Sequence, residues 1–231
     1  MTQVLLVGHG RMGLLVEKLA PEYGCEIAAI VTHGSGVAGI AASPDSAEVA
    51  IDFTTAHAVV ANVQALAERR INVVIGTTGW QAHEADVRAV AERYGIGVLA
   101  ASNFSIGLHI FRGAVAQAAA GFAAQDAVGA WIHEAHHIAK KDAPSGTALT
   151  LKDSITGAGY ARPIDISSTR AGAIPGTHTV GFDGPSETVT LTHTVRDRAV
   201  FARGALEVAR WLVGKRGWFT MDDYLKSRAS L

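Results

Sequence analysis

VLLVGHGRMG, residues 4–13, decides the fold class. A run of buried-strand composition passes directly into Gly8, Gly10 and Gly13, spaced G-x-G-x-x-G, and from there into a helical pattern. Each glycine answers a separate physical demand: Gly8 the tight turn, Gly10 the approach of a pyrophosphate to the backbone, Gly13 the close packing of helix on strand. The helix that follows aims free N–H groups and the positive end of its dipole at the same place. In this context the motif points to a dinucleotide, through Gly8, His9, Gly10, Arg11, Met12 and Gly13.

Working outward, short apolar runs alternate with helical periodicity over the first hundred residues. QVLLVG (3–8), EIAAIV (26–31), VAIDF (49–53), NVVIG (72–76) and GVLAA (97–101) are expected strands. Residues 12–21, 56–69 and 82–94 carry apolar positions at helical spacing. Such alternation implies a Rossmann-like, doubly wound parallel sheet. After residue 104 the pattern changes. An Ala-rich helix (108–120), a strand running into HEAHH and a helix from 146 come first. Three β-branched runs at 163–172, 177–184 and 187–195 then imply a second, α+β domain on a mixed or antiparallel sheet. The expected division is 1–104 plus 206–231 for the dinucleotide and 105–205 for substrate and oligomerisation.

Composition narrows the class. A 231-residue chain with 48% hydrophobic and 18% charged residues builds substantial cores. A formal net charge of −1 gives no basic footprint for nucleic acid or an acidic membrane. No apolar run reaches the roughly 18 residues of a membrane span. The single cysteine, Cys25, reads as a small buried hydrophobe in a reducing compartment. With no signal-peptide pattern at MTQVLLVGHG, a cytoplasmic protein is expected.

An NAD site usually has an acid at the end of the second strand for the ribose. Here Val31-Thr32-His33 stands there, with no carboxylate to repel a 2′-phosphate, and Thr32, His33 and Arg11 are possible donors to one. NADPH or NADH is expected, with a slight lean to NADPH. GTTGW (76–80) and AASNF (100–104) lie at the C-terminal strand ends, where open parallel sheets bind ligands.

HEAHHIAKKDAPSGTA, residues 133–148, carries the chemistry. Its first letters spell the H-E-x-x-H zinc signature through His133, Glu134 and His137. AVGAWI leads in like a strand, however, and strand rise sets His133 and His137 more than about 10 Å apart, too far for one ion. No metal is expected. The charge pattern suits an anion instead: His136, His137, Lys140 and Lys141 gather against a helix opening at Ser145-Gly146-Thr147. That helix start supplies bare N–H groups, and a histidine with a lysine can supply a proton.

E-A-H-H-x-x-K-x-D-A-P-S-G-T-A (134–148) resembles the signature of the 4-hydroxy-tetrahydrodipicolinate reductases (dihydrodipicolinate reductases). G-R-M-G (10–13), D-F-T (52–54), G-T-T-G (76–79), N-F-S-I-G (103–107) and R-A-G-x-x-P-G-T-H (170–178) are similar to further pieces of that family, in family order. The glycine loop is one residue shorter than the family's common form, and Thr32 replaces a frequent acid. The resemblance implies an oxidoreductase of lysine and diaminopimelate biosynthesis that reduces a small dicarboxylate with NADH or NADPH, as a homotetramer. It implies proton handling by His136 and Lys140 and carboxylate binding by His137, Gly146 and Thr147; Ser145, opening the helix whose dipole faces the anion, is counted with the substrate site on the charge pattern. It implies cofactor contacts at Gly8–Met12, at Gly76, Thr77 and Thr78, and at Ala101, Ser102, Asn103 and Phe104; His133 takes no role. A related two-domain amino-acid or imine dehydrogenase, or a non-catalytic dinucleotide sensor, would share the glycine loop without needing the histidine–lysine segment.

Overall fold

The computed structural model describes residues 1–229 and divides the chain into two units, Met1–Ile106 with Ala199–Leu231, and Gly107–Arg198. The first is built on six parallel strands: β1 (Thr2–Val7), β2 (Cys25–Val31), β3 (Val49–Asp52), β4 (Asn72–Ile75), β5 (Gly97–Ala100) and, last in the chain, β10 (Gly217–Phe219). Their order is β10-β5-β4-β3-β1-β2. The chain therefore leaves β1 in one direction to reach β2 and returns to its other side for β3. This reversal opens a crevice beyond the C-terminal ends of β1 and β3, the place where such sheets bind ligands.

Both faces of the sheet are covered, so its strands are apolar throughout rather than alternating. Val4, Leu6, Val49, Ile51 and Val74 pack on one side with helix α1 (Arg11–Leu19) and helix α7 (Ala199–Leu212). Leu5, Val7, Ala50, Val73 and Ile75 pack on the other with α3 (Val59–Glu68) and α4 (Glu84–Tyr94). Cys25 is buried in the first of these cores.

Three features differ from expectation. A short helix α2 (Gly36–Ala41) follows β2, in a stretch too short and glycine-rich to show a period. Strand β10 has three residues and is defined only by its pairing with Gly97–Leu99. The chain rejoins the first unit at Ala199 rather than at 206, because the early turns of α7 already lie in its core: Ala202 and Ala205 are fully buried, and a Cβ on Gly204 would fall 1.9 Å from the Phe104 carbonyl oxygen.

The second unit carries a mixed sheet of order β7-β6-β8-β9, made by β6 (Gly129–His136), β7 (Ile164–Arg170), β8 (Thr177–Asp183) and β9 (Thr188–Thr194). Strand β7 runs parallel to β6, and β8 and β9 follow antiparallel. Helices α5 (Ile106–Phe122) and α6 (Gly146–Gly157) cover one face, giving a core of Phe111, Val115, Ile132, Leu151, Ile155 and Phe182. Strand β6 alternates strictly, with Ala130, Ile132, Glu134 and His136 all inward. The same face thus begins as apolar core and ends in two polar side chains. The site begins there.

Candidate active site

In the first unit, Gly8, His9 and Gly10 with Val31, Thr32 and His33 line a cavity of about 450 Å³ at the β1/β3 crevice, floored by Phe53 and Thr54. The glycines are needed where the motif places them. Gly8 has φ +96°, and a Cβ on it would meet the Phe53 carbonyl oxygen at 2.4 Å. A Cβ on Gly13 would stand 2.2 Å from the Gly8 carbonyl, so helix and turn touch through backbone alone. Nothing lies within 4 Å of a Cβ built on Gly10, which leaves that surface to a ligand. Gly10 caps α1 without a side-chain hydrogen bond, and the first amides of the helix, beginning with those of Arg11 and Met12, have no acceptor within it. These features fit a dinucleotide's pyrophosphate. The His9 ring is paired with Glu17 on α1 at 2.7 Å, and Arg11 is exposed at the helix start.

At the end of β2, Thr32 and His33 are exposed at the cavity rim. The Thr32 N–H donates to the Ser35 hydroxyl at 3.1 Å, and the Thr32 carbonyl accepts the Gly36 amide at 3.0 Å. This tight turn fixes the backbone and leaves the side chains of residues 32 and 33 exposed.

Gly76, Thr77, Thr78 and Ala101–Phe104 do not line this cavity; several of them shape it from behind. The Thr77 hydroxyl is turned inward. It is buried, donating to Asp52 Oδ1 at 2.8 Å and accepting the Thr54 N–H at 2.8 Å. Asp52 also accepts from the Thr54 hydroxyl at 2.6 Å and from Asn62 at 2.9 Å, so one fully buried carboxylate ties together the ends of β3 and β4 and helix α3. Phe104 is likewise a core side chain, edge-on to Phe53 at 6.3 Å, and the Phe53 ring packs where a Cβ on Gly76 would stand, 2.1 Å from its Cε1. Asn103 accepts the Ser105 amide at 2.8 Å. Thr78 and Ser102 are exposed and Ala101 is half-buried.

In the second unit, the end of β6, the loop 137–145 and the start of α6 bring the other sequence candidates into one neighbourhood. His136 is 9% exposed and donates through Nδ1 to Glu134, which is fully buried. Arg170, opposite His136 in the parallel register, grips both oxygens of Glu134 at 3.0 and 2.6 Å. Lys140 is held by both oxygens of Asp142 at 2.7 and 2.8 Å, and that bond keeps the Asp142 carboxyl below its ordinary range. His137 is half-exposed just past the strand end, and Gly146 and Thr147 open α6 at the surface.

Ser145 takes the helix-capping place that its position suggests. It is the N-cap of α6, accepting the Ala148 N–H at 3.2 Å, and it also bonds His178 at 3.1 Å while only 2% exposed. Its hydroxyl fixes the helix start rather than facing a ligand. His133 bonds Thr169 at 3.0 Å on the exposed face of the sheet.

Burial opposes ionisation of Glu134, yet the hydrogen bonds from Arg170, then from Ser168 and His136, hold its carboxyl down at about 2. Burial lowers the imidazole of His136, against the opposing pull of Glu134, so the ring is mostly neutral at pH 7. Burial, then the neighbouring His136, pushes His178 down to about 4. The unfolded chain binds a proton on His178 from the ordinary value near 6.5 downward, whereas the folded chain does so only near 4. Stability therefore falls between about pH 6.5 and 4, by roughly 2–3 kcal/mol from this group. Chemical denaturation of wild type and His178→Asn over that range is expected to show the fall in wild type and a shallower one in the variant; parallel curves would contradict the assignment.

Glu134, His136 and His178 each offer a ligand atom within 4.8 Å of the others. The Arg170 guanidinium already occupies both carboxylate oxygens, and a cation there argues against a second one. His133 and Glu134 lie on a strand and His137 just beyond it, not one turn apart on a helix.

Glu134, Arg170 and His178 stood within the quoted motifs without an assigned role. The signal was available for Glu134: two residues before His136 on a strand, it must share the same inward face, and a buried carboxylate needs a partner.

The family profile described as dihydrodipicolinate reductase, N-terminus, matches residues 2–104, and the C-terminus profile matches residues 107–225. A 4-hydroxy-tetrahydrodipicolinate reductase of Anaplasma marginale is 36% identical over 94% of this chain and 96% of its own. One from Archaeoglobus fulgidus is 35% identical over 94% and 96%. Among solved structures, a dipicolinate-bound dihydrodipicolinate reductase from Paenisporosarcina sp. TG-14 superposes with a TM-score of 0.78 at 21% identity, covering 95% of this chain and 98% of that one. An amine dehydrogenase from Mycobacterium smegmatis shares the fold at a TM-score of 0.61 and 12% identity.

Proposed function

Because the chain belongs to the dihydrodipicolinate reductase family, we propose that it reduces 4-hydroxy-tetrahydrodipicolinate to tetrahydrodipicolinate with NAD(P)H, in the diaminopimelate route to lysine. The observation that carries this reading is the juxtaposition at the end of β6: a buried histidine on a carboxylate, followed by the lysine loop and a helix N-terminus. A dinucleotide dehydrogenase acting on an uncharged amine needs none of these beyond the glycine loop.

The nicotinamide, when bound, supplies the hydride. The chain's own residues do the rest. The α1 amides and the Gly8–Gly10 turn bind the pyrophosphate. His137, with the amides of Gly146 and Thr147, binds the substrate's carboxylates where the α6 dipole is positive. His136 and the Lys140 ammonium handle the proton that accompanies reduction and loss of water. Asp142 holds Lys140 in place, and Ser145 keeps the α6 amides aimed outward. The reaction needs no metal, so turnover is expected to be unchanged by EDTA.

NADPH is the slightly favoured cofactor, since no carboxylate stands at residues 32–33 and the exposed His33 can approach a 2′-phosphate. His33→Glu places a negative charge at that rim and is expected to shift the ratio of kcat/KM values toward NADH by roughly tenfold or more. An unchanged ratio would show that His33 does not read the phosphate.

The subunits assemble as a homotetramer through the open face of the second sheet, where Thr177, Thr179, Thr192 and Thr194 stand in exposed cross-strand pairs. Light scattering at micromolar concentration tests this, and a monomer mass would contradict it. No helix among the described residues is long and apolar enough to cross a membrane; a cytoplasmic location is the reading that suits an NAD(P)H-linked biosynthetic reductase.

A further inference from the structure

Four groups face the His136 ring: Glu134 two residues earlier on β6, Arg170 on β7, His178 on β8, and Lys140 from the loop that follows. One of them touches it as a hydrogen-bond acceptor on Nδ1, the Glu134 carboxylate. The other ring nitrogen, Nε2, faces Gly176, where a Cβ would lie 3.1 Å away. Gly176 has φ +149°, a backbone conformation that side chains avoid, so residue 176 meets the ring through backbone alone and puts no side chain over Nε2.

We propose that Glu134 is the positioning residue of this reductase: it holds His136 through Nδ1 so that Nε2 is the atom presented to substrate, and Arg170 locks Glu134 in that role. The proposal rests on the reading of His136 as a proton-handling group.

A carboxylate that accepts from Nδ1–H selects one neutral tautomer, leaving the lone pair on Nε2, and stabilises the imidazolium when a proton is taken up there. Glu134 is fully buried and would be driven to neutralise itself without a cation. Arg170 answers with a two-pronged grip on both oxygens, and Arg170 Nη2 also donates to the Asp142 carbonyl at 2.6 Å. One guanidinium thus braces the support of His136 and the loop that carries Lys140. The backbone repeats the bracing, with the Ala171 amide on the His136 carbonyl at 3.0 Å and the Ile138 amide on the Gly172 carbonyl at 3.1 Å. A planar fork can meet three acceptors at once; a lysine ammonium at residue 170 cannot hold that geometry. A buried ion pair with a purely structural purpose would need neither the bond to His136 nor the glycine at its far nitrogen.

The test is Glu134→Gln, an isostere that removes the charge. The kcat is expected to fall roughly 10- to 100-fold, a part of what general acid–base catalysis contributes, while the KM for NAD(P)H is unchanged. The pH–rate limb belonging to His136 is expected to move to lower pH, since the carboxylate is the one neighbour that favours the imidazolium against Lys140, Arg170 and His178. Histidine-selective ¹⁵N NMR of the whole protein reads the tautomer without turnover: wild type should show His136 protonated on Nδ1, and Glu134→Gln a mixture. Arg170→Lys, with the same readouts, carries the test if Glu134→Gln does not fold. Wild-type kcat and pH profile in a folded variant, or an Nε2-protonated His136 in the wild type, would overturn the proposal. Absence of turnover in the wild type would instead strike the proposed reaction and leave the NMR result to stand by itself.

Discussion

Lys140→Ala is expected to lower kcat by roughly two to four orders of magnitude, the usual contribution of a positioned proton donor. Lys140 lies in the loop 137–145 of the second unit, and the glycine loop belongs to the first. The Kd for NADPH, which reports the glycine loop, should therefore stay within about twofold of wild type. The KM for substrate should rise, because the variant removes a cation and also leaves Asp142, now without its partner at 2.7 Å, as a bare carboxylate near a site for a dicarboxylate. Stopped-flow fluorescence of bound NADPH separates the two effects. A Kd that worsens in step with kcat would show that Lys140 supports the structure of the cofactor site rather than the proton transfer.

Gly8→Ala is the change expected to damage the cofactor site most. Two costs coincide at this residue. Its φ of +96° lies where an alanine is strained, and its Cβ would press to 2.4 Å from the Phe53 carbonyl oxygen and 3.0 Å from the Thr54 side chain. Each cost is about 1–3 kcal/mol. The neighbours cannot easily yield, because Thr54 is anchored to Asp52 at both its amide and its hydroxyl. The turn must therefore shift, and at least about 2 kcal/mol should be lost, equivalent to at least about 30-fold in the Kd for NAD(P)H. A dipicolinate-type ligand binding to the second unit should be unaffected. Wild-type NAD(P)H affinity in Gly8→Ala would mean that the cofactor does not lie against this turn.

The parts of the molecule that were legible in the sequence are those where a residue type answers a local demand. Gly8, Gly10 and Gly13 declare a backbone geometry within six positions, and the alternating apolar runs declare a wound parallel sheet. Ser145 announces a helix start, though its letter does not tell that the hydroxyl is turned inward to Ala148 and His178. Direction was the recurring loss. Thr77 and Phe104 sit at strand ends where ligands bind, yet both side chains point back into the protein, one to Asp52 and one to Phe53. Register was the other. Arg170 meets Glu134 across 36 positions because β7 pairs in parallel with β6, and no local spacing reveals such a pairing. The three residues of β10 become a strand only beside β5. The whole of α7 joins the first unit because of Ala202, Gly204 and Ala205, small residues that mark close packing without naming its partner.

The central claim, reduction of the dicarboxylate imine with NAD(P)H, is tested most directly by a coupled assay. Pyruvate, aspartate semialdehyde and the preceding synthase generate substrate in situ, with EDTA present and NADH and NADPH oxidation followed separately. Rapid oxidation that requires the synthase, somewhat faster with NADPH than with NADH, is the expected result. No synthase-dependent oxidation of either cofactor, from protein that still binds NADPH, would contradict the account and leave a dinucleotide-binding protein with a different substrate or none.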